Sequence, residues 1–330
     1  MHMTFLGTSS GTPTTNRNVS ALALGVDNSK FWYLVDCGEG TQHRLLRTRF
    51  SLSTLKLICI THVHGDHCYG LPGLLASANM ASRELPLTII GPQALQQWIA
   101  SVQTFTELNL GFPLRFIDVN TCSEWSDEDV SVVPVELSHR VPSHAFCFIE
   151  QVSSRNLDLD KLNALGLSPG PLYGQLQRGD TVTLPDGTLL DGKQFLKPTR
   201  AARKAVIAGD NDNPGLLAEA CRDAHVLVHE ATYTDDVLEK IGAHPQHSSA
   251  GMVARFAESV ALNQLLLTHF SPRYQDDKQM SPNITEIEQE AKSYFGGPLY
   301  LARDFDCYQL DKNGGMRLQS PPPDGVKTCL

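Results

Sequence analysis

The stretch that most constrains this chain is Leu55–His67, LKLICITHVHGDH. Its apolar first half reads as a buried strand. The run then passes directly into three histidines and an aspartate within six residues, His62 to His67. Such groups are costly to bury unless something pairs them. The fold must therefore hold the strand in a core and deliver its end to a place where the cluster finds partners.

The arrangement recurs along the chain. VVPVELS ends at His139, KAVIAG at Asp210, VLV at His229 and Glu230, and QLLLT at His269. In sheets covered by helices, sites assemble where loops converge over the strand ends. Between these strands lie helix-like stretches: LPGLLASANM, ALQQWIASVQTF, PGLLAEACRDA, SSAGMVARFAESV with a serine at its cap, and ITEIEQEAKSYF. The β-prone runs SALALGV and FWYLVDCG, separated by DNSK, suggest a hairpin. The chain reads as α/β.

At 330 residues, 41% hydrophobic and 19% charged, it has an ordinary globular profile and enough length for a sizeable core. No apolar run approaches the roughly 20 residues that span a bilayer. The opening MHMTFLGTSSG lacks the basic and apolar regions of a leader. A soluble, cytoplasmic protein with no membrane partner is expected.

One catalytic domain is expected over 1–330, interrupted at about 152–198 by an inserted arm with little core of its own, bounded by Pro198. A flexible tail is expected from about 314 to 330. The formal net charge of −9 argues against a general nucleic-acid binder, but residues 152–204 carry eight Lys/Arg against five Asp.

In an extended segment, residues two apart point the same way, so His62 and His64 can address one point. Gly65 is expected to permit a turn that sends Asp66 and His67 to a second point. Two metals about 3.5–4 Å apart can share a bridging ligand. A catalytic zinc takes about three protein ligands and keeps a position open. His139, Asp210 and His269 supply the balance, and Asp210 is the natural bridge because its carboxylate has two oxygens. A lone strand-end histidine is ordinarily a hydrogen-bonded surface residue, and His144 competes with His139 for the same role. Cys68 abuts the cluster and either ligates or packs beneath the loop. A closed structural zinc site is disfavoured, since those are cysteine-rich and the eight cysteines here form no C-x-x-C pair. His/Asp ligands also accept manganese, cobalt or iron.

The signature THVHGDH resembles that of the metallo-β-lactamase superfamily, which includes thiolesterases, lactonases and sulfatases. Further stretches resemble the ribonuclease Z family, the tRNA 3′-processing endonucleases, over almost the whole chain. These are FLGTSSGTPTTNRN, DCGEGTQHRLL, HVHGDHCYGLPGLL, SPGPLYGQLQRGDTVTLPDG, HEATY, HPQHSS and LTHFSPRY. The third-last and second-last resemble the family's HEAT and HST motifs. The family's GDT is here GDN, with Asn211, and the loop PTTNRN keeps Arg17 and Asn18 but lacks the family's lysine.

The resemblance implies an αββα sandwich of two mixed sheets flanked by helices, with a protruding arm that grips tRNA. It implies a homodimer in which one subunit's arm serves the other's site, acting on precursor tRNA. It assigns His62, His64 and His139 to one zinc, Asp66, His67 and His269 to a second, and Asp210 to both. Asp66 is implied as proton acceptor and His247 as a catalytic helper positioned by Glu230. RNA contacts are expected at Arg17, Lys161, Gly170, Pro171, Arg178 and Arg273, with Lys193 and Lys197 on the arm. Cleavage would leave a tRNA 3′-hydroxyl and a 5′-phosphate on the trailer. The alternatives are a general zinc phosphodiesterase or 3′ exoribonuclease and, more distantly, a thiolester or lactone hydrolase.

Overall fold

The computed structural model describes residues 1–152, 154–198, 200–277 and 279–319. Six strands form the first half: β1 (His2–Gly7), β2 (Ala21–Gly25), β3 (Trp32–Val35), β4 (Leu55–Cys59), β5 (Leu87–Gly91) and β6 (Leu114–Asp118). Next come β7 (Trp125–Ser126), β8 (Val130–Leu137) and β9 (Ser143–Glu150), then the short β10 (Ser154–Leu157), β11 (Thr181–Thr183), β12 (Leu189–Asp191) and β13 (Leu196–Pro198). The last are β14 (Lys204–Ala208), β15 (Val226–Glu230), β16 (Leu265–Thr268), β17 (Leu299–Leu301), β18 (Cys307–Leu310) and β19 (Met316–Gln319). Two large sheets result, ordered β19-β18-β1-β2-β3-β4-β5-β6 and β17-β16-β15-β14-β9-β8-β7. Both are mixed. The first is parallel from β3 to β6, and the second is parallel from β14 to β17.

Strand alternation builds the layers. In β3, Trp32 and Leu34 join Ile58 and Ile89 beneath helices Leu71–Met80 and Ala94–Thr106. The intervening Tyr33 points the other way, where its ring lies 6.0 Å from Phe148 of β9, so the two sheets meet face to face. Helix Leu71–Met80 buries Leu71, Leu74, Leu75 and Ala78, the i, i+3, i+4, i+7 stripe of a core-facing helix. Helix Ala250–Ser259 does the same on the second sheet with Ala250, Val253, Ala254 and Ala257 against Leu227 and Leu267. Ser249 caps it, accepting from the Met252 N–H at 3.0 Å. The architecture is the αββα sandwich. Among the described residues, no helix is long and apolar enough to cross a membrane.

The sandwich brings strand ends together. His62 follows β4, His139 follows β8, Asp210 follows β14, Glu230 ends β15 and His269 follows β16. One segment after β3 holds the metal-capable loop in place. Cys37 N–H donates to His67 O at 2.8 Å, and Gly70 N–H returns to Cys37 O at 2.9 Å. A Cβ on Gly38 would lie 2.3 Å from the Asp66 carbonyl oxygen and 2.6 Å from Val19, so only glycine fits there.

Gly65 corrects an expectation. Its backbone is not in the left-handed region. It begins a single helical turn, Gly65–Cys68, after the extended His64, and that turn swings Asp66 and His67 away from His62 and His64. A Cβ on Gly65 would lie 2.2 Å from the ring of Tyr69, an exposed side chain free to swing aside.

The chain divides into two compact units, the second comprising Glu128–Val130 with Glu150–Ala202. It contains a β10–β13 pair, a β11–β12 hairpin, and helices Leu159–Ala164 and Pro171–Gln177. Its core is small: Leu162, Leu176, Val182, Leu190 and Phe195 are buried together. The tail expected from 314 is also corrected at its start. Met316–Gln319 pairs antiparallel with β18, and residues 320–330 lie outside the described residues.

Gly38→Ala should destabilise the fold by about 1–3 kcal/mol, the cost of overpacking against groups that cannot yield. Urea unfolding of the metal-free protein would measure it. Gly170→Ala, whose Cβ would meet only Ser168 O at 3.9 Å, should change stability little.

Candidate metal centre

Two groups of donor atoms converge at the strand ends, and Asp210 belongs to both. In the first, His62 Nε2 lies 3.0 Å from His64 Nδ1, and His139 Nε2 lies 3.1 Å from the same atom. Asp210 Oδ2 is 3.6 Å from His62 Nε2 and 3.7 Å from His139 Nε2. In the second, His67 Nε2 and His269 Nε2 are 3.3 Å apart, and each is 3.4 Å from Asp66 Oδ2. Asp210 Oδ1 lies 3.4 Å from His67 Nε2 and 3.3 Å from His269 Nε2.

This spacing is that of a cation cage. Ligand atoms about 2.0–2.1 Å from a tetrahedral metal sit about 3.3 Å from one another. The imidazole lone pairs of one group point at a common centre, where they repel unless a cation lies among them. The donor set therefore fits divalent transition metals in each group.

The other nitrogen of four rings has a partner, which fixes tautomer and orientation. His62 Nδ1 is 2.9 Å from Thr61 Oγ1, which donates to Asp36 Oδ2 at 3.0 Å. His67 Nδ1 donates to Asp36 Oδ2 at 2.7 Å. His139 Nδ1 donates to Gln246 O at 2.7 Å, and His269 Nδ1 to Thr232 Oγ1 at 3.0 Å. Asp66 Oδ2 accepts from Gly11 N–H at 2.8 Å. In the metal-free protein, burial and the neighbouring His67 hold the His62 ring well below the ordinary histidine range. Burial opposes the charged form of His67 too, but Asp210, Asp36 and Asp66 hold that ring well above the ordinary range. His269 takes a left-handed backbone, φ 58°, at the point where its ring enters the site.

Beside the donor groups lies a carboxylate–imidazole pair. Glu230, fully buried, accepts from His247 Nδ1 at 3.0 and 3.1 Å. Its Oε1 also accepts from Asn211 N–H at 2.8 Å, and Thr232 donates to its Oε2. Burial lowers the His247 pKa, but Glu230 outweighs it and lifts the ring to about 9. His247 Nδ1 also lies 3.7 Å from Asp210 Oδ2.

Other candidates fall differently. His144 is buried, with Nδ1 3.4 Å from Thr61 O, and belongs to neither donor group. Cys68 packs beneath the loop, its thiol donating to Val63 O at 3.5 Å. Arg17 corrects the reading of an RNA contact. It is 6% exposed, and its guanidinium donates to Thr8 Oγ1 at 2.8 Å, Ala302 O at 2.9 Å and Asp276 Oδ1 at 3.0 Å. Arg273 is exposed, lies 5.1 Å from the Tyr233 ring centre, and donates to Ser271 Oγ at 3.1 Å. In the second unit, Lys161 donates to Gln194 O at 3.1 Å and Arg178 pairs with Asp180 at 3.1 Å on the surface. Gly170 precedes Pro171, which opens helix Pro171–Gln177. Sequence reading did not single out Asp36, Thr61 or Thr232 as supports. Asp36 carries a detectable signal, a carboxylate at the end of an apolar strand.

Glu230→Gln should bring the His247 pKa in the metal-free protein down from about 9 toward the ordinary histidine range, since burial and His67 would then be opposed only by Asp210. An NMR titration of the ring would show it; an unchanged value would refute the pairing. Because the folded pKa is raised, the pair's contribution to stability is present below about pH 6.5 and lost as pH rises through about 9.

A family model described as the anti-Pycsar protein Apyc1 matches residues 1–144, less than half of the chain. A ribonuclease Z of Marinobacter nauticus is 51% identical over 95% of this chain and 97% of its own length. A ribonuclease Z of Prochlorococcus marinus is 40% identical over 95% of this chain and 100% of its own. Among solved structures, the short form of human tRNase Z superposes with a TM-score of 0.64 at 26% identity, covering 94% of this chain and 100% of that one. The metallo-β-lactamase-fold protein YhfI of Bacillus subtilis, at 17% identity and a TM-score of 0.62 over 93% of this chain and 98% of its own, shares the fold. With the converging donor groups and identity sustained over nearly the full length, the chain belongs to the ribonuclease Z family of metal-dependent nucleases.

Proposed function

We propose that this protein is a two-zinc endoribonuclease of the cytoplasm that removes the 3′ trailer from precursor tRNA. It would leave a 3′-hydroxyl on the tRNA and a 5′-phosphate on the trailer. The observation that carries the reading is the division of Asp210, one carboxylate oxygen in each of two His/Asp groups. It is supported by relatives that are ribonuclease Z over their full length and by the likeness to human tRNase Z.

His62, His64 and His139 would hold one zinc, Asp66, His67 and His269 the other, and Asp210 both. When bound, the two ions supply positive charge for the phosphodiester and acidify water toward neutrality. The chain's own groups do the rest. Asp66, held by Gly11 N–H, stands where it can accept a proton from the attacking water. His247, held by Glu230 through Nδ1, can give a proton to the departing ribose 3′ oxygen. The buried Glu230 keeps the ring oriented and stabilises its charge as the proton moves.

The body of the chain is acidic, so distant recognition would fall to residues 152–198. Lys161, Arg178, Lys193 and Lys197 are the candidate phosphate contacts, around the turn Gly170–Pro171 that opens a helix. In a homodimer this arm would serve the partner's site. Phosphate contacts of this kind release counterions, so affinity would fall steeply with salt.

Asp66→Ala should abolish cleavage of precursor tRNA and lower the zinc content; normal cleavage would sink the assignment. Deleting about 155–195 should weaken precursor processing by roughly 10²-fold or more while sparing hydrolysis of a small phosphodiester. Equal loss of both activities would refute the arm's role. One intact trailer as product identifies an endonuclease, and mononucleotides an exonuclease.

A further inference from the structure

Asn211 follows the bridging Asp210 and is fully buried. Five hydrogen bonds leave it for four different segments. Its N–H donates to Glu230 Oε1 at 2.8 Å, and its carbonyl accepts from Ser248 Oγ at 2.6 Å. Its side-chain Oδ1 accepts from Ser138 N–H at 3.3 Å and from Asn213 N–H at 3.1 Å. Its Nδ2 meets His229 Nε2 at 3.1 Å.

The amide orientation is forced. Two backbone N–H groups face one end, so that end is the oxygen, and the nitrogen faces His229. His229 is buried, and its Nδ1 donates to the Glu230 carbonyl at 2.8 Å. Its Nε2 therefore carries the lone pair that accepts from Asn211. The main chain of residue 211 thus grips Glu230 and the residue after His247, while the side chain grips the residue before His139.

We propose that Asn211, oriented by His229, is a positioning residue. Its side chain locks the main-chain segment that holds Glu230 and Ser248, and so fixes His247 where it can protonate the leaving oxygen. A freed main chain at 211 would let Glu230 and Ser248 shift, and His247 would lose its alignment while the metal ligands remain. The proposal rests on the reading of His247 as proton donor. It assigns a task to the one position after the bridging ligand where the chain departs from the family pattern, and a task to His229, which holds no metal.

The test uses the zinc-loaded full chain and two substrates. Precursor tRNA needs a protonated leaving oxygen; bis(p-nitrophenyl) phosphate expels nitrophenolate, which does not. Asn211→Ala should lower kcat for precursor tRNA by roughly tenfold or more, with KM within about threefold. Hydrolysis of the nitrophenyl diester should stay within about threefold and zinc content should be unchanged. His229→Ala should match that loss, the double variant should fall no further, and His229→Gln, whose amide oxygen can still accept from Asn211, should restore activity. Should Asn211→Ala fail to fold, His229→Ala, which removes the acceptor that orients Asn211, carries the kinetic test alone. Loss of both activities together with zinc would overturn the proposal in favour of a scaffold for the metal ligands. So would an unchanged kcat on precursor tRNA, or losses that multiply in the double variant.

A second readout does not depend on activity. The His247 Nδ1–H proton, bonded to Glu230, should exchange with water roughly tenfold faster or more in metal-free Asn211→Ala than in wild type. Unchanged exchange would overturn the positioning claim. If wild type failed to cleave precursor tRNA, the functional reading would fall, while this proton would still decide the role of Asn211.

Discussion

The carboxylate of Asp210 has one oxygen 3.3–3.4 Å from His269 and His67 and the other 3.6–3.7 Å from His62 and His139. It is buried at the end of β14, where strands of the second sheet deliver their polar ends. A carboxylate in that position is tolerable only because positive charge surrounds it. Burial works against its charge, yet the rings of His269, His67 and His62 hold it well below the ordinary carboxylate range. The geometry of both donor groups follows from that single shared residue. So does the place of Glu230 and Asn211, which are built around the same strand ends.

Support for the centre comes from residues far away in sequence. Asp36, at the end of β3, ties Thr61 and His67 together through three hydrogen bonds of 2.7–3.0 Å. The neighbouring Cys37 and Gly38 clamp the helical turn that carries Asp66 and His67. The first sheet thus sets one half of the site and the second sheet sets the other. Their face-to-face packing, with Tyr33 against Phe148, keeps the halves in register.

The strands carrying the donors were legible because each is an apolar run that stops at a metal-capable side chain. Helices Leu71–Met80 and Ala250–Ser259 were legible by their apolar stripe and, for the second, its serine cap. What escaped depends on long-range contacts. Spacing alone leaves His139 and His144 open; His144 ranks second because it begins the next strand, and the fold places it in β9 against Thr61. Arg17 in a polar loop looked available for RNA, but its partner Asp276 lies 259 residues away. The core of the second unit is built from Leu162, Leu176, Val182, Leu190 and Phe195, which have no common period to reveal it. Gly65 was read for backbone freedom, but it opens an ordinary right-handed helical turn.

The central claim is a dinuclear centre bridged by one carboxylate. Anomalous diffraction from crystals of the zinc-loaded protein, collected on either side of the zinc edge, tests it most directly. The account predicts two zinc peaks about 3.5–4 Å apart, with one oxygen of Asp210 at each. A single peak, or two peaks with Asp210 bound to neither or to only one, would contradict it.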